Sequence, residues 1–241
     1  MTIIDSIKIS MLVPIHSAGI PFIAIFVILT VIMGWFWSPL YFFGLVLTIW
    51  CIYFFRNPVR VTPILSGTNK NNLIISPADG RVIEISKITP DKEIGLPVGN
   101  WTRVCVFMNV FDVHVNRSPM LGKIFYKNYI PGSFFNASLD KASSENERLI
   151  LGMETENGKK IAFVQIAGLV ARRIICDVGI GSVLKAGEVF GLIRFGSRVD
   201  IYFPSDVSVM VLKGQKMIAG ETIIGDFTKS SKSVREHLDE K

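Results

Sequence analysis

Apolar and polar positions divide this chain sharply. From Ile9 to Phe55 no Asp, Glu, Lys or Arg occurs. That run is too long for a core helix or a signal-peptide apolar region, and no small-residue cleavage site follows it. Trp37-Ser38-Pro39 interrupts it, because the residue before a proline is pushed out of the helical region. The pattern predicts two helices, Ile20 to Phe36 and Leu40 to Phe55, each of roughly the 17 residues needed for a short bilayer crossing. Trp35, Trp37 and Tyr41 fall at the turn, where an interfacial aromatic belt would stand. The expectation is a membrane-anchoring helical hairpin over residues 1–55, either spanning or re-entrant.

Beyond Pro58 the rhythm changes to short alternating or apolar runs: Arg81 to Ile85, Val104 to Phe107, Ile161 to Ile166, Val199 to Phe203 and Val207 to Leu212. Pro77-Ala78-Asp79-Gly80, Pro131-Gly132, Asn157-Gly158 and Lys213-Gly214 punctuate them as turns. One short helix is expected at Leu139 to Glu147, and the charged tail from Lys229 reads as frayed or helical. The predicted class is therefore mainly β (α+β). It comprises the N-terminal hairpin and a compact β-sandwich or barrel over residues 56–241. Lys185-Ala186-Gly187-Glu188 and Ile218-Ala219-Gly220-Glu221 echo each other, a rhythm that resembles the hammerhead repeats of lipoyl and biotinyl carrier domains. Lys216 lacks the flanking residues of a carrier lysine, so the echo reads as a structural repeat.

Charge adds a partner. Lys and Arg number 26 against 20 Asp and Glu, a net charge of +6, and only Asp5 and Lys8 of these precede residue 56. Excess positive charge beside an apolar hairpin suits anionic lipid headgroups. With Lys8 on one flank and Arg56 and Arg60 on the other, the positive-inside rule puts the folded domain on the cytoplasmic side of the cell membrane. Nucleic acid is not expected, for no zinc-finger spacing, RNA-recognition signature or basic helix is found. The three cysteines have no paired spacing, and three scattered histidines supply no metal cluster, so no metal is expected.

The candidate chemistry is concentrated at two places. Phe195-Gly196-Ser197-Arg198-Val199-Asp200 puts a Gly-Ser pair between strands, without the G-x-S-x-G context of a hydrolase elbow. Asn109 to Pro119 holds His114; His16 lies in or beside the apolar run and His237 in the charged tail. Taken alone, His114 reads as a hydrogen-bonded structural residue sooner than as a catalyst, since a lone histidine in a β domain is more often the former.

These residues stand in an order that resembles the phosphatidylserine decarboxylases, in their short bacterial and archaeal form. The resemblance is carried by Phe55-Arg56-Asn57-Pro58, Ser76-Pro77-Ala78-Asp79-Gly80, Phe107 to Pro119, Asn146-Glu147-Arg148, Gln165-Ile166-Ala167-Gly168, Ala171-Arg172-Arg173-Ile174 and the segment around Ser197. It implies a proenzyme that cuts itself between Gly196 and Ser197 into fragments 1–196 and 197–241, which remain associated. Ser197 becomes a pyruvoyl group, the cofactor, in place of pyridoxal phosphate. The group decarboxylates phosphatidylserine to phosphatidylethanolamine at the membrane. Asp79 and His114 are implied in activating Ser197, and Asp112 in orienting the site. Arg117 stands where longer relatives carry a second histidine, so His114 is left to serve both maturation and turnover. Arg56, Arg60, Arg172 and Arg173 are candidates for phosphate contact. Two readings stay open beside this one: a membrane-anchored lipoyl-like binding module without catalysis, and a pyruvoyl decarboxylase of another serine-headgroup lipid. A homo-oligomer is also left open.

Overall fold

The computed structural model describes residues 13–63, 72–138, 142–169, 173–194 and 196–230. They fall into two compact units: the described residues up to Val59 together with Phe111–Val115, and Arg60–Val110 together with the residues from Asn116 onward.

In the first unit, helices α1 (Ile20–Phe36) and α2 (Ser38–Phe54) form a hairpin. The break falls at Trp37 alone, which is extended and serves both helices as a cap. Ser38 is already helical because Pro39 occupies the first turn, where a missing N–H costs nothing. Ser17–Phe36, 20 residues with a mean hydropathy of 2.4, is long and apolar enough to cross a membrane; Ser38–Phe54 is a shorter apolar helix. Where the helices touch, the side chains are small: Gly44, Thr48 and Cys51 recur on one face of α2, and Thr48 Oγ1 lies 3.1 Å from Thr30 Oγ1. A Cβ on Gly44 would stand 2.6 Å from Thr30 Oγ1 and 3.0 Å from its Cα. Small residues permit this close approach, and dispersion and the side-chain hydrogen bond hold the two apolar helices together. Gly44→Val is expected to force the helices apart at a cost of about 1–3 kcal/mol. Its readout is disulfide cross-linking of cysteines placed at 30 and 48, which should fall severalfold; unchanged yield would contradict the packing. At the base of the hairpin His16 N–H donates to the Phe55 carbonyl and Asn57 N–H to that of Pro14, at 2.8 and 2.6 Å.

The second unit is built from strands, as the alternation requires. In chain order they are β1 (Leu73–Ile75), β2 (Gly80–Ile88), β3 (Trp101–Met108), β4 (Val115–Arg117), β5 (Gly122–Ile130), β6 (Arg148–Glu154) and β7 (Lys160–Ile166). There follow β8 (Ile174–Cys176), β9 (Val183–Leu184), β10 (Val189–Ile193), β11 (Ser197–Pro204), β12 (Val207–Val209), β13 (Lys216–Met217) and β14 (Ile223–Ser230). Eight of them make one antiparallel sheet, ordered β13-β2-β3-β11-β7-β6-β5-β9, which curls into half a barrel. Two three-stranded sheets, β1-β14-β12 and β4-β10-β8, complete the set. The core of the unit includes Val104, Val106, Met108, Phe163, Phe190, Val199, Ile201 and Phe203. The expected mainly β, α+β class is observed. Two details differ. The helix expected at Leu139 to Glu147 is a single turn, α3 (Ala142–Glu145), among the described residues. The run Val207 to Leu212 is a strand only over Val207–Val209, because Leu212 already closes the Lys213-Gly214 turn. The tail beyond Ser230 lies outside the described residues.

The strand order reads the same from either end, and so does the register. β2 and β3 pair Val82 with Val106 and Glu84 with Cys105 across a bulge; β5 and β6 pair Ile124 with Met153 and Tyr126 with Gly152 across another. About the axis between β11 and β7, Ile75 N–H donates to Pro119 O while Arg117 N–H donates to Pro77 O, both at 2.9 Å. Gly187 N–H and Gly220 N–H, both in the left-handed region, donate to the carbonyls of Ser118 and Ser76 at 2.8 Å. The domain is an internal duplication, and the Ala-Gly-Glu echo is its trace in the sequence. The same correspondence, carried through the pairs Cys105↔Asp200 and Gly152↔Ala162, matches Gly196 with Gly158.

Candidate active site

Ser197 opens β11, the central strand, with β3 on one side and β7 on the other. Its side chain faces the core with Val199 and Ile201, and it is fully buried. Among the described residues its Oγ has no hydrogen-bond partner. A buried hydroxyl without a partner costs about 1–3 kcal/mol, so selection for stability alone would not keep it there. Gly196, just before it, has φ +64°, a left-handed conformation that favours glycine. In the duplicate half, matching Gly158 has φ +72° in the β6–β7 hairpin, so a left-handed glycine comes just before the strand in both halves.

The opposite face of β11 carries charge. Arg198 Nη2 donates to Asp200 Oδ2 at 2.8 Å, its Nε reaches Oδ1, and the same Nη2 lies 2.8 Å from Cys105 Sγ. Arg198 and Asp200 have no exposed side-chain surface. Burial alone would lower the Arg198 pKa, but Asp200 and then Cys105 together outweigh it and raise it. Burial, with Asp200 next, pushes the Cys105 thiol far up, so it stays protonated. Arg103 and Glu84 continue the row with a 2.6 Å ion pair. This network is a rigid backing for the strand that begins at Ser197. Sequence reading missed it, since a lone Cys105 and a strand Arg-x-Asp carry no recognisable spacing.

Asp79 lies at the head of β2. Gly80 follows it with φ +142°, and a Cβ there would meet the Phe107 carbonyl at 2.1 Å. Asp79 accepts two bonds from Arg60 Nη2, at 3.0 and 2.8 Å, and one from Ala219 N–H at 2.7 Å. Its match in the duplicate half is Leu121, so the acid breaks an otherwise repeated backbone pattern. Arg117 and Glu221 share this neighbourhood: burial and then Arg60 lower the Arg117 pKa, while Asp79 and Glu221 oppose the shift.

His114 belongs to the first unit. Its Nδ1 lies 3.0 Å from the Asp112 carbonyl, which can only accept, so Nδ1 carries the proton and Nε2 is the basic nitrogen. The ring packs on Phe54 with centroids 4.2 Å apart. Burial lowers its pKa to about 4, the Asp112 bond opposes this, and the positive Arg56 adds to it. The hydrogen bond from the imidazole is thus to the Asp112 main-chain carbonyl. Arg56 is committed within the same unit: it donates to the carbonyls of Tyr53 and Phe111 at 2.6 and 2.8 Å and lies over the Tyr53 ring. Arg173 is exposed, and Arg172 lies outside the described residues. Among the described residues no group of three His, Cys, Asp or Glu side chains could hold a metal.

The duplicated β domain, the buried serine after a left-handed glycine and the acid at the head of β2 belong to a sequence with known relatives. Residues 47–225 match the family described as phosphatidylserine decarboxylase, which reaches from α2 into β14 and covers every described residue of the site. The chain therefore belongs to the phosphatidylserine decarboxylase family and is a decarboxylase acting on phosphatidylserine.

Proposed function

We propose that the chain is a self-processing, pyruvoyl-dependent enzyme that works at a membrane surface. The observation that carries this is the buried, unpartnered Ser197 Oγ directly after the left-handed Gly196. Ser197 Oγ attacks the Gly196 carbonyl carbon; its proton passes to a base and the amide nitrogen leaves protonated, so an ester replaces the peptide bond. Removal of the Ser197 α-proton then expels the Gly196 carboxylate, and the remaining dehydroalanine takes up water and loses ammonia. The residues fit the product: the ketone would form at the Ser197 α-carbon, at the head of a strand paired on both sides. Those two ladders keep the 197–241 fragment bound to 1–196 after the cut. A pyruvoyl group supplies a carbonyl that accepts the electron pair left when the serine headgroup loses its carboxylate.

His114 and Asp79 are the groups we assign to proton transfer, with His114 as the neutral base and later the acid at the substrate carbon. Contact with a phosphodiester is assigned to Arg172 and Arg173; Arg56 and Arg60 would reach one only by exchanging the Tyr53 and Phe111 carbonyls and the Asp79 carboxylate. The hairpin holds the domain at the bilayer with the basic flanks on the cytoplasmic side.

Two outcomes test these roles. Purified protein with phosphatidylserine vesicles should release CO2 and phosphatidylethanolamine, and hydroxylamine, which captures ketones, should abolish this. Activity that survives hydroxylamine, or depends on added pyridoxal phosphate, would overturn the cofactor assignment. The lowered His114 pKa sets the second. Between about 6.5 and 4 the unfolded chain binds a proton at His114 that the folded chain does not. Stability therefore rises with pH through that window and is lost on acidification. A neutral base persists to about pH 4, so the self-cleavage rate of freshly synthesised chain should show its acid limb near there. An acid limb near 6.5 would contradict His114 as the base.

A further inference from the structure

The Gly196 carbonyl is seated against a second glycine. A Cβ built on Gly168 would stand 1.9 Å from the Gly196 carbonyl oxygen and 3.0 Å from its carbon. The oxygen thus packs on the bare Cα of Gly168, just past the end of β7. Gly168 is not among the glycines with positive φ, so its backbone would accept alanine, and only the contact forbids a side chain. The chain at this point is pinned by a fully buried asparagine. Asn146 Nδ2 donates to Ala167 O at 2.7 Å and to Phe135 O at 2.8 Å, and Oδ1 accepts from Phe135 N–H at 2.9 Å. Ala167 N–H donates to the Glu147 carbonyl at 2.9 Å, so both backbone groups of Ala167, the residue before Gly168, are tied to Asn146-Glu147.

We infer that Asn146 and Gly168 are positioning residues for self-cleavage: Gly168 is the surface on which the scissile carbonyl lies, and Asn146 fixes that surface. The inference rests on the self-processing reading. Attack at a carbonyl needs the nucleophile above the carbonyl plane at close range, and displacing the reacting atoms by about 1 Å costs on the order of 100-fold in rate. A methyl group at Gly168 cannot be accommodated without moving the Gly196 carbonyl by more than that.

The experiment follows cleavage of full-length chain made by cell-free synthesis in the presence of lipid vesicles. Wild type, Ser197→Ala, Gly168→Ala and Gly158→Ala are compared on denaturing gels. Gly158 has φ +72° with open space around a Cβ, so Gly158→Ala strains the matching turn of the other half without touching the carbonyl. It should cleave at the wild-type rate. Gly168→Ala should cleave about 100-fold more slowly or not at all. Hydroxylamine, which cuts an ester at Ser197, should not rescue it, because the block precedes the ester. Each Gly168→Ala chain that does cleave should decarboxylate within about twofold of wild type, a split that general unfolding would not produce. If Gly168→Ala fails to fold, Asn146→Asp is read instead; it keeps the acceptor toward Phe135 and loses both donated bonds. Gly168→Ala cleaving within about threefold of wild type, or rescue by hydroxylamine, overturns the inference. Wild type that never cleaves would sink the self-processing reading, an outcome the Ser197→Ala control keeps separate.

Discussion

Ser197→Ala should remain a single chain of 26.9 kDa and lose decarboxylase activity by at least about a thousandfold. The same residue supplies the attacking oxygen and the carbon that becomes the ketone, so no other group can compensate. The fold should not suffer. Ser197 Oγ is buried and makes no hydrogen bond with a described residue, so its removal relieves a desolvation penalty without breaking a contact. The midpoint of chemical unfolding should stay level or rise slightly against the wild-type proenzyme, with ladders from Ser197 to Met108 and from Arg198 to Ile166 intact. A processed, active Ser197→Ala protein would remove the site assignment altogether.

Asp200→Ala should be the most destabilising single change on the cleavage strand, by about 3–5 kcal/mol, because it leaves the Arg198 guanidinium buried without its carboxylate. Desolvation of the cation then has no carboxylate to offset it. The double variant Arg198→Met/Asp200→Leu removes both charges and should recover most of the loss, since replacing a buried pair by apolar groups is often neutral or better. Urea unfolding of uncleaved chains in the Ser197→Ala background measures this without interference from processing. A single-variant cost below about 1 kcal/mol would show the pair to be solvated in solution.

How far the sequence carries depends on which physical signal each feature leaves. The two helices were legible because a run of 47 residues without Asp, Glu, Lys or Arg is broken only at Pro39, and the strands because alternation has period two. The duplication was only glimpsed. Its Ala-Gly-Glu turns recur because both need a left-handed glycine at Gly187 and Gly220. The Ser76-Pro77 and Ser118-Pro119 anchors are two-residue matches, and the spacing between equivalent positions changes from strand to strand, so no fixed period survives. Ser197, His114 and Asp79 stood out through an ordered set of short motifs. What a side chain touches did not. Arg56 is bonded to two backbone carbonyls, and the Asp112 atom beside the His114 ring is a carbonyl oxygen that every residue has. Gly168 is one of 20 glycines, and only the folded chain brings it to the Gly196 oxygen. The Asp200 partner of Arg198 lies two positions away, but its burial depends on strands β3 and β7 flanking β11.

Intact-mass measurement of the purified, active protein shows whether this chain makes its own carbonyl cofactor from Ser197. The account predicts two polypeptides, the smaller being residues 197–241 at about 5 kDa of the 26.9 kDa total, with an N-terminus refractory to Edman degradation. That fragment should be lighter than a serine-started peptide by about 17 Da, one ammonia, because the amine has been replaced by a ketone. Active protein that runs as one unbroken chain, or a 197–241 fragment that begins with an ordinary serine, would contradict it.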